Sequence, residues 1–362
     1  MKFISLLSNL KLLYNFFLFL ALINIFFSTG KSHAKTFSVN DIEISTPFEI
    51  NFNKNEIIDE GFVKAFNELI LSIVQTKDQV KLKNTSINQI KGMIETFSIK
   101  EEKFIDEIYY LTLNVSFNKK NIFDLLESKN VFPSLPLKKN FLFIPVFVDE
   151  NKNQVSMFSE NKLFTNWNSN NKKYSLLNYI LPTQDLDDFS LIKRNIKNLE
   201  NYDFKEIINK YNINDHIIMI VFKNNNKIRV LNKIFFNQKK NLTNLNYSKV
   251  NFDNEKELSK FIDNLKLVYE DFWKSQNEIN TSVKLSLNIS INNSDNIKIN
   301  KFEKILSDMD YIYNFYIYKF DNKNNFYKVV FNGTPDKFLE VMREKNYNFE
   351  IKNKIWVLNE KS

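Results

Sequence analysis

The sequence predicts an α+β / α/β protein, with two small βαββα(β) modules flanking a central α/β domain. Three observations carry this. Apolar residues at helical three-and-four spacing alternate along the chain with strands of period two. Two continuous apolar runs, FLFIPVFV (141–148) and HIIMIVF (216–222), have the length of strands buried on both faces. From residue 279 on, the pattern reads β-α-β-β-α-β, the split βαβ order of ferredoxin-like folds. The expected division is residues 1–34, 35–136, 137–278 and 279–362.

Residues 1–34 read as a signal peptide. Lys2 and Lys11 precede an apolar run, Phe16 to Phe27, and no acid occurs before Asp41. Ser32 and Ala34 are the small residues that a peptidase cutting between Ala34 and Lys35 requires. The competing reading is an N-terminal membrane anchor facing the periplasm. Extended back to Leu12, the run covers 16 positions, two of them Asn15 and Asn24. A spanning helix needs about 20 apolar residues. The chain has no Cys, so a lipid anchor on that residue is excluded, and disulfides are too. The expected compartment is the periplasm.

In the first module, TFSVNDIEIS (36–45) reads as a strand. Phe62, Ala65, Phe66, Leu69, Ile70 and Ile73 then mark a helix face. A further helical turn lies near 86–90. The segment 106–118 has the alternation of a half-buried strand, and Asn118 is placed to cap a helix over 121–128. Pro133 and Pro136 punctuate the chain after it.

The central domain opens on the strand 141–150. Helical stretches follow near 160–167, 189–199 and 203–211. The segment 216–236 reads as two strands joined by an Asn-rich turn, a residue type that tolerates positive φ. Another strand is expected near 242–248. Leu258, Phe261, Ile262, Leu265, Val268, Tyr269 and Phe272 line one side of a helix over 254–275.

In the last module, Val283, Leu285, Leu287, Ile289 and Ile291 share one strand face. A helix near 300–309 precedes a hairpin, 311–320 and 326–333. Thr334-Pro335 caps the next helix with Pro at its first position. YNFEI and KIWVL finish the chain as strands.

The chemistry is mostly defined by what is missing. His33 and His216 are the two histidines, and His33 leaves with the signal. No GxSxG elbow accompanies His216, which reads as a capped histidine at the start of an apolar strand. No P-loop and no dinucleotide fingerprint occur. Gly333, between a strand and a helix, could seat a phosphate, but a turn role explains it more simply. The densest polar cluster is LPTQDLDDFS (181–190). Its Asp185, Asp187 and Asp188 are weak candidates for a hard cation, set against a role as a helix N-terminus. No cofactor is expected.

The formal net charge is +8, and without Lys2, Lys11 and Lys31 the rest of the chain carries +5. The cations are spread among 42 acids rather than gathered in a stripe, so nucleic acid is not an expected partner. Weak contact with an anionic membrane surface stays open, although no second run is long enough to span one. Tyr311, Tyr313, Phe315 and Tyr316 in one strand are either core or a sticky face for a partner.

The layout resembles a known family. The stretches GFVKAFNELILSI (61–73), YYLTLNVSFN (109–118) and FLFIPVFVD (141–149), then Trp167, LPTQDLDD (181–188) and IWVL (355–358), look like an uncharacterised bacterial periplasmic family, domain of unknown function 2066. The resemblance spans most of the chain after the signal. It implies a periplasmic protein but carries no activity onto any residue. The middle region also resembles the α/β domains of envelope assembly factors. The expectation is a non-enzymatic adaptor or assembly factor that binds an envelope protein. The alternatives are a carboxylate hydrolase of envelope glycan or ester substrates, which would use Asp185, Asp187 or Asp188, and a lipid or small-ligand carrier.

Overall fold

The computed structural model describes residues 36–169, 171–352 and 354–359. Residues 1–34, the proposed cut between Ala34 and Lys35 included, lie outside them. The fold is mixed α+β, with ten helices and three sheets among the described residues.

The first sheet is antiparallel, in the order β1-β3-β2, from β1 (Thr36–Pro47), β2 (Ile94–Ile105) and β3 (Ile108–Asn118). Every second residue of β3, from Tyr109 to Phe117, is buried. These side chains meet helix α1 (Lys54–Ile73), whose Phe62, Ala65, Phe66, Leu69, Ile70 and Ile73 form the buried stripe that the spacing predicts. The helix can come so close because Gly61 has no side chain; a Cβ there would run into Leu113 and Ile44. Short helices α2 (Thr76–Gln79) and α3 (Ile87–Met93) follow. Asn118 caps α4 (Lys119–Ser128), as expected.

The central sheet runs β5-β4-β7-β8-β9, with β6 also on the β5 edge of β4. Its strands are β4 (Lys139–Asp149), β5 (Gln154–Ser156), β6 (Leu177–Ile180), β7 (His216–Asn224), β8 (Lys227–Phe236) and β9 (Lys239–Ser248). β4 pairs in parallel with β6 and β7, while β7, β8 and β9 form an antiparallel meander. Asn225, at φ 53°, makes the first turn of that meander. Helices cover both faces, which explains the unbroken apolar runs. Phe141 and Phe143 face α5 (Lys162–Asn166) and α8 (Glu255–Gln276). Leu142, Ile144, Val146 and Val148 face α6 (Leu186–Arg194) and α7 (Lys205–Ile208).

The last sheet runs β11-β12-β10-β14-β13, from β10 (Lys284–Asn292), β11 (Ile312–Phe320), β12 (Asn324–Asn332), β13 (Asn348–Lys352) and β14 (Ile355–Asn359). Helices α9 (Asn296–Asp308) and α10 (Pro335–Glu344) cover one face. The β-α-β-β-α order is the one the pattern predicts, but the chain then ends in a hairpin. β13 runs at the edge, and β14 turns back to lie parallel to β10 between them. Trp356 of β14 and Phe349 of β13 pack at 5.6 Å and 5.5 Å from Phe338 of α10. No helix of the described residues is long and apolar enough to cross a membrane.

Candidate functional site: a clamped acid cluster and a buried polar junction

The acid cluster begins at the N-cap of α6. Asp185 Oδ1 accepts the amides of Asp187 at 2.8 Å and Asp188 at 3.3 Å, which satisfies donors that a helix start leaves free. Lys210, just beyond α7, donates to Asp185 Oδ2 at 2.6 Å and to Asp188 Oδ1 at 2.7 Å. Asp188 is only 2% exposed, so this ammonium is the counter-charge that allows a carboxylate to be buried. The hydrogen bond from Lys210, followed by the two amides, holds the Asp185 carboxyl below the usual carboxylate range. The reciprocal bonds raise the Lys210 ammonium well above its ordinary value. Asp187 is exposed, and Lys210 bonds only the carboxylates of Asp185 and Asp188. The three aspartates are therefore a helix cap with a lysine clamp. No group of three or more metal-binding side chains occurs among the described residues.

His216 opens β7 as expected. Its Nδ1 lies 2.9 Å from the Asn214 carbonyl, and its ring stacks on Phe235 at 4.4 Å. Burial pushes the imidazole pKa below its ordinary value. Gly333 takes φ 145°, and the α10 start beyond it is capped by Thr334.

Sequence reasoning missed a second polar cluster, at the end of α8. Glu270 accepts the amides of Leu176 at 3.0 Å and Leu177 at 3.0 Å. Burial raises its carboxyl pKa, and the two amides and Lys274 oppose that rise. Lys274 donates to the carbonyls of Leu71 at 2.5 Å and Val74 at 3.0 Å, closing the carboxyl end of α1. Burial pulls its ammonium pKa down. Trp273 Nε1 donates to the Leu137 carbonyl at 2.6 Å. Beside them the two linkers meet. Ser134 donates its amide to Ile73 O at 2.7 Å, and Ile279 donates to Pro133 O at 2.7 Å. Glu270 and Lys274 stand four apart within the apolar face of α8, and that spacing was the one available signal.

The sheet edges differ in charge. β2 carries Lys100, Lys103 and two register shifts. β9 opens with Lys239 and Lys240, and β5 and β13 are short. On β1, Lys173 covers the Asp41 carbonyl at 2.9 Å. Long edge strands are normally blunted by such devices. β11 has two register shifts but a single charge, Lys319, over nine residues. Tyr316, Ile317, Tyr318 and Phe320 are exposed on it, Phe320 at 78%. Of the aromatic group named from sequence, Tyr311 packs toward the core, while Tyr313 and Phe315 are half-buried.

No protein-family model matches this chain, and no curated protein matches it either.

Proposed function

We propose that the protein is an exported, non-enzymatic component of the periplasm, an adaptor or assembly factor that engages another envelope protein by strand addition at β11. The observation that carries this is the β11 edge: the least charged of the long edges, lined with exposed aromatic and aliphatic side chains. Strand addition takes affinity from main-chain hydrogen bonds and specificity from alternate side chains, and tyrosines are enriched among the residues that matter most at protein interfaces. The signal-like residues 1–34 and the resemblance in layout to a periplasmic family support the compartment. The hydrolase reading would draw on Asp185, Asp187 and Asp188, two of which Lys210 already holds.

The test is site-specific photocrosslinking in cells. A crosslinker at Tyr316 or Tyr318 is expected to give one discrete protein adduct, and the same probe at Lys240 on β9 none. Phe320→Lys should abolish the adduct. Equal labelling from all positions, or none from β11, sinks the reading. Intact mass of the exported chain should correspond to a start at Lys35.

A further inference from the structure

A cleft of about 340 Å³ opens where the parallel strands β4 and β7 end. In open α/β sheets, ligands bind outside the carboxyl ends of parallel strands, and this volume lies at the small end of ligand pockets. Phe147, Leu163, Val250 and Phe252 make its apolar part. Phe147 and Phe252 hold each other edge to face at 5.1 Å. Lys152, Lys162 and Lys223 enter from three separate segments, against the carboxylates Asp149, Glu160 and Asp253.

Those carboxylates are not equivalent. Asp149 Oδ1 is taken up by the Lys152 amide at 3.1 Å, as part of the turn after β4. Asp253 has an 86% exposed side chain, and its carboxylate is met by Lys162 Nζ at 2.6 Å. It is thus a weakly anchored anion, and exposed pairs of this kind are worth little.

We propose that this cleft is an anion site in which Asp253 is the resident, displaceable anion, and that it takes a phosphate- or carboxylate-bearing small molecule through Lys162, Lys223 and Lys152. An incoming phosphate inherits the ammonium donors, for which a lysine acts as a strong point-charge partner. Lys162, first through its hydrogen bond, then Lys223 and Lys152 hold the Asp253 carboxyl below its usual range. The site is independent of the β11 edge, so either proposal can fail alone.

The experiment is a titration of the exported chain, followed by amide NMR shifts, with inorganic phosphate, with citrate and with phosphatidylglycerol vesicles. Saturable shifts confined to residues around Asp149, Lys223 and Asp253 are expected. Lys223→Ala and Lys162→Ala should each weaken binding about tenfold, the scale of one charge-assisted contact. Asp253→Asn, which removes the competitor and leaves the lysines, should tighten it several-fold. These are surface changes, and thermal melting will verify that each variant folds. A response to free phosphate or citrate assigns the source to a soluble anion. A response to vesicles alone, lost in both lysine variants, assigns it to a lipid headgroup. No saturable response to any probe, or equal responses in wild type and the lysine variants, overturns the site.

Discussion

Single charged residues in this protein are bound to particular carbonyls and carboxylates, and their protonation should be visible in stability. Lys233 lies within β8, 2% exposed, where it donates to Tyr202 O at 2.9 Å and lies 5.4 Å from the Phe204 ring. Burial, then the neighbouring Lys240, brings its pKa down to about 8 from 10.5. A lysine whose pKa falls on folding holds its proton less tightly in the folded chain than in the unfolded one. Between pH 8 and 10.5 the unfolded chain therefore carries more protons, and stability rises with pH across that window. Other groups titrate there too, so the expected signature is a difference. Urea unfolding of the wild type should gain stability relative to Lys233→Met as pH rises from 8 to 10.5. A constant difference would mean that Lys233 has no depressed pKa. At Asp188 a buried carboxylate is tolerated because Lys210 meets it.

At the scale of elements, the end of α8 fastens the first module to the central one. Lys274→Ala would remove the donor to the Leu71 carbonyl at a buried helix end, and one of two donors to the Val74 carbonyl, which keeps Gln79 Nε2 at 3.1 Å. One buried orphan costs about 1–3 kcal/mol, and a loss of that size is expected. Lys274→Arg should recover part of it, and chemical denaturation of the three proteins checks both. That junction was illegible in the sequence because it depends on residues two hundred positions apart. Local information was read well. Periodicity located α1, α8 and β10, and the caps Asn118 and Thr334 were visible because a cap acts within three residues. β5 and β6 were missed because strands of three and four residues carry no period. The closing hairpin was seen as two strands, but the parallel insertion of β14 beside β10 is a tertiary pairing that no local period encodes. At the acid cluster, sequence showed the cap but not the clamp, since Lys210 arrives from beyond the next helix.

For the whole molecule, the three sheets are joined by two different kinds of contact. The first and central units share main-chain bonds, Ile279 N to Pro133 O and Leu135 N to Asn277 O, together with the buried Trp273 and Lys274 bonds. Salt screens buried bonds of this kind weakly. The first and last units are joined by charged contacts as well as by Tyr311, which packs against both cores. Lys119 pairs with Asp310, Lys284 meets Glu127 at 2.9 Å, and Lys120 lies 5.3 Å from the Tyr313 ring. The Lys284–Glu127 pair, 36% and 33% exposed, contributes about 0–1 kcal/mol and fades at high ionic strength, where the screening length falls to about 3 Å in 1 M salt, whereas the buried Lys119 is screened less. The tryptophans are placed to report the difference, because Trp167 and Trp273 lie in the central core and Trp356 in the last one. Variants keeping one tryptophan, unfolded in urea at low salt, should give nearly coincident fluorescence transitions. In about 1 M sodium chloride the Trp356 transition should move to lower urea than the Trp273 transition. Lys284→Ala should produce the same separation without added salt. Coincident transitions under all three conditions would mean that apolar contact, such as Tyr311 against the first core, couples the last module instead.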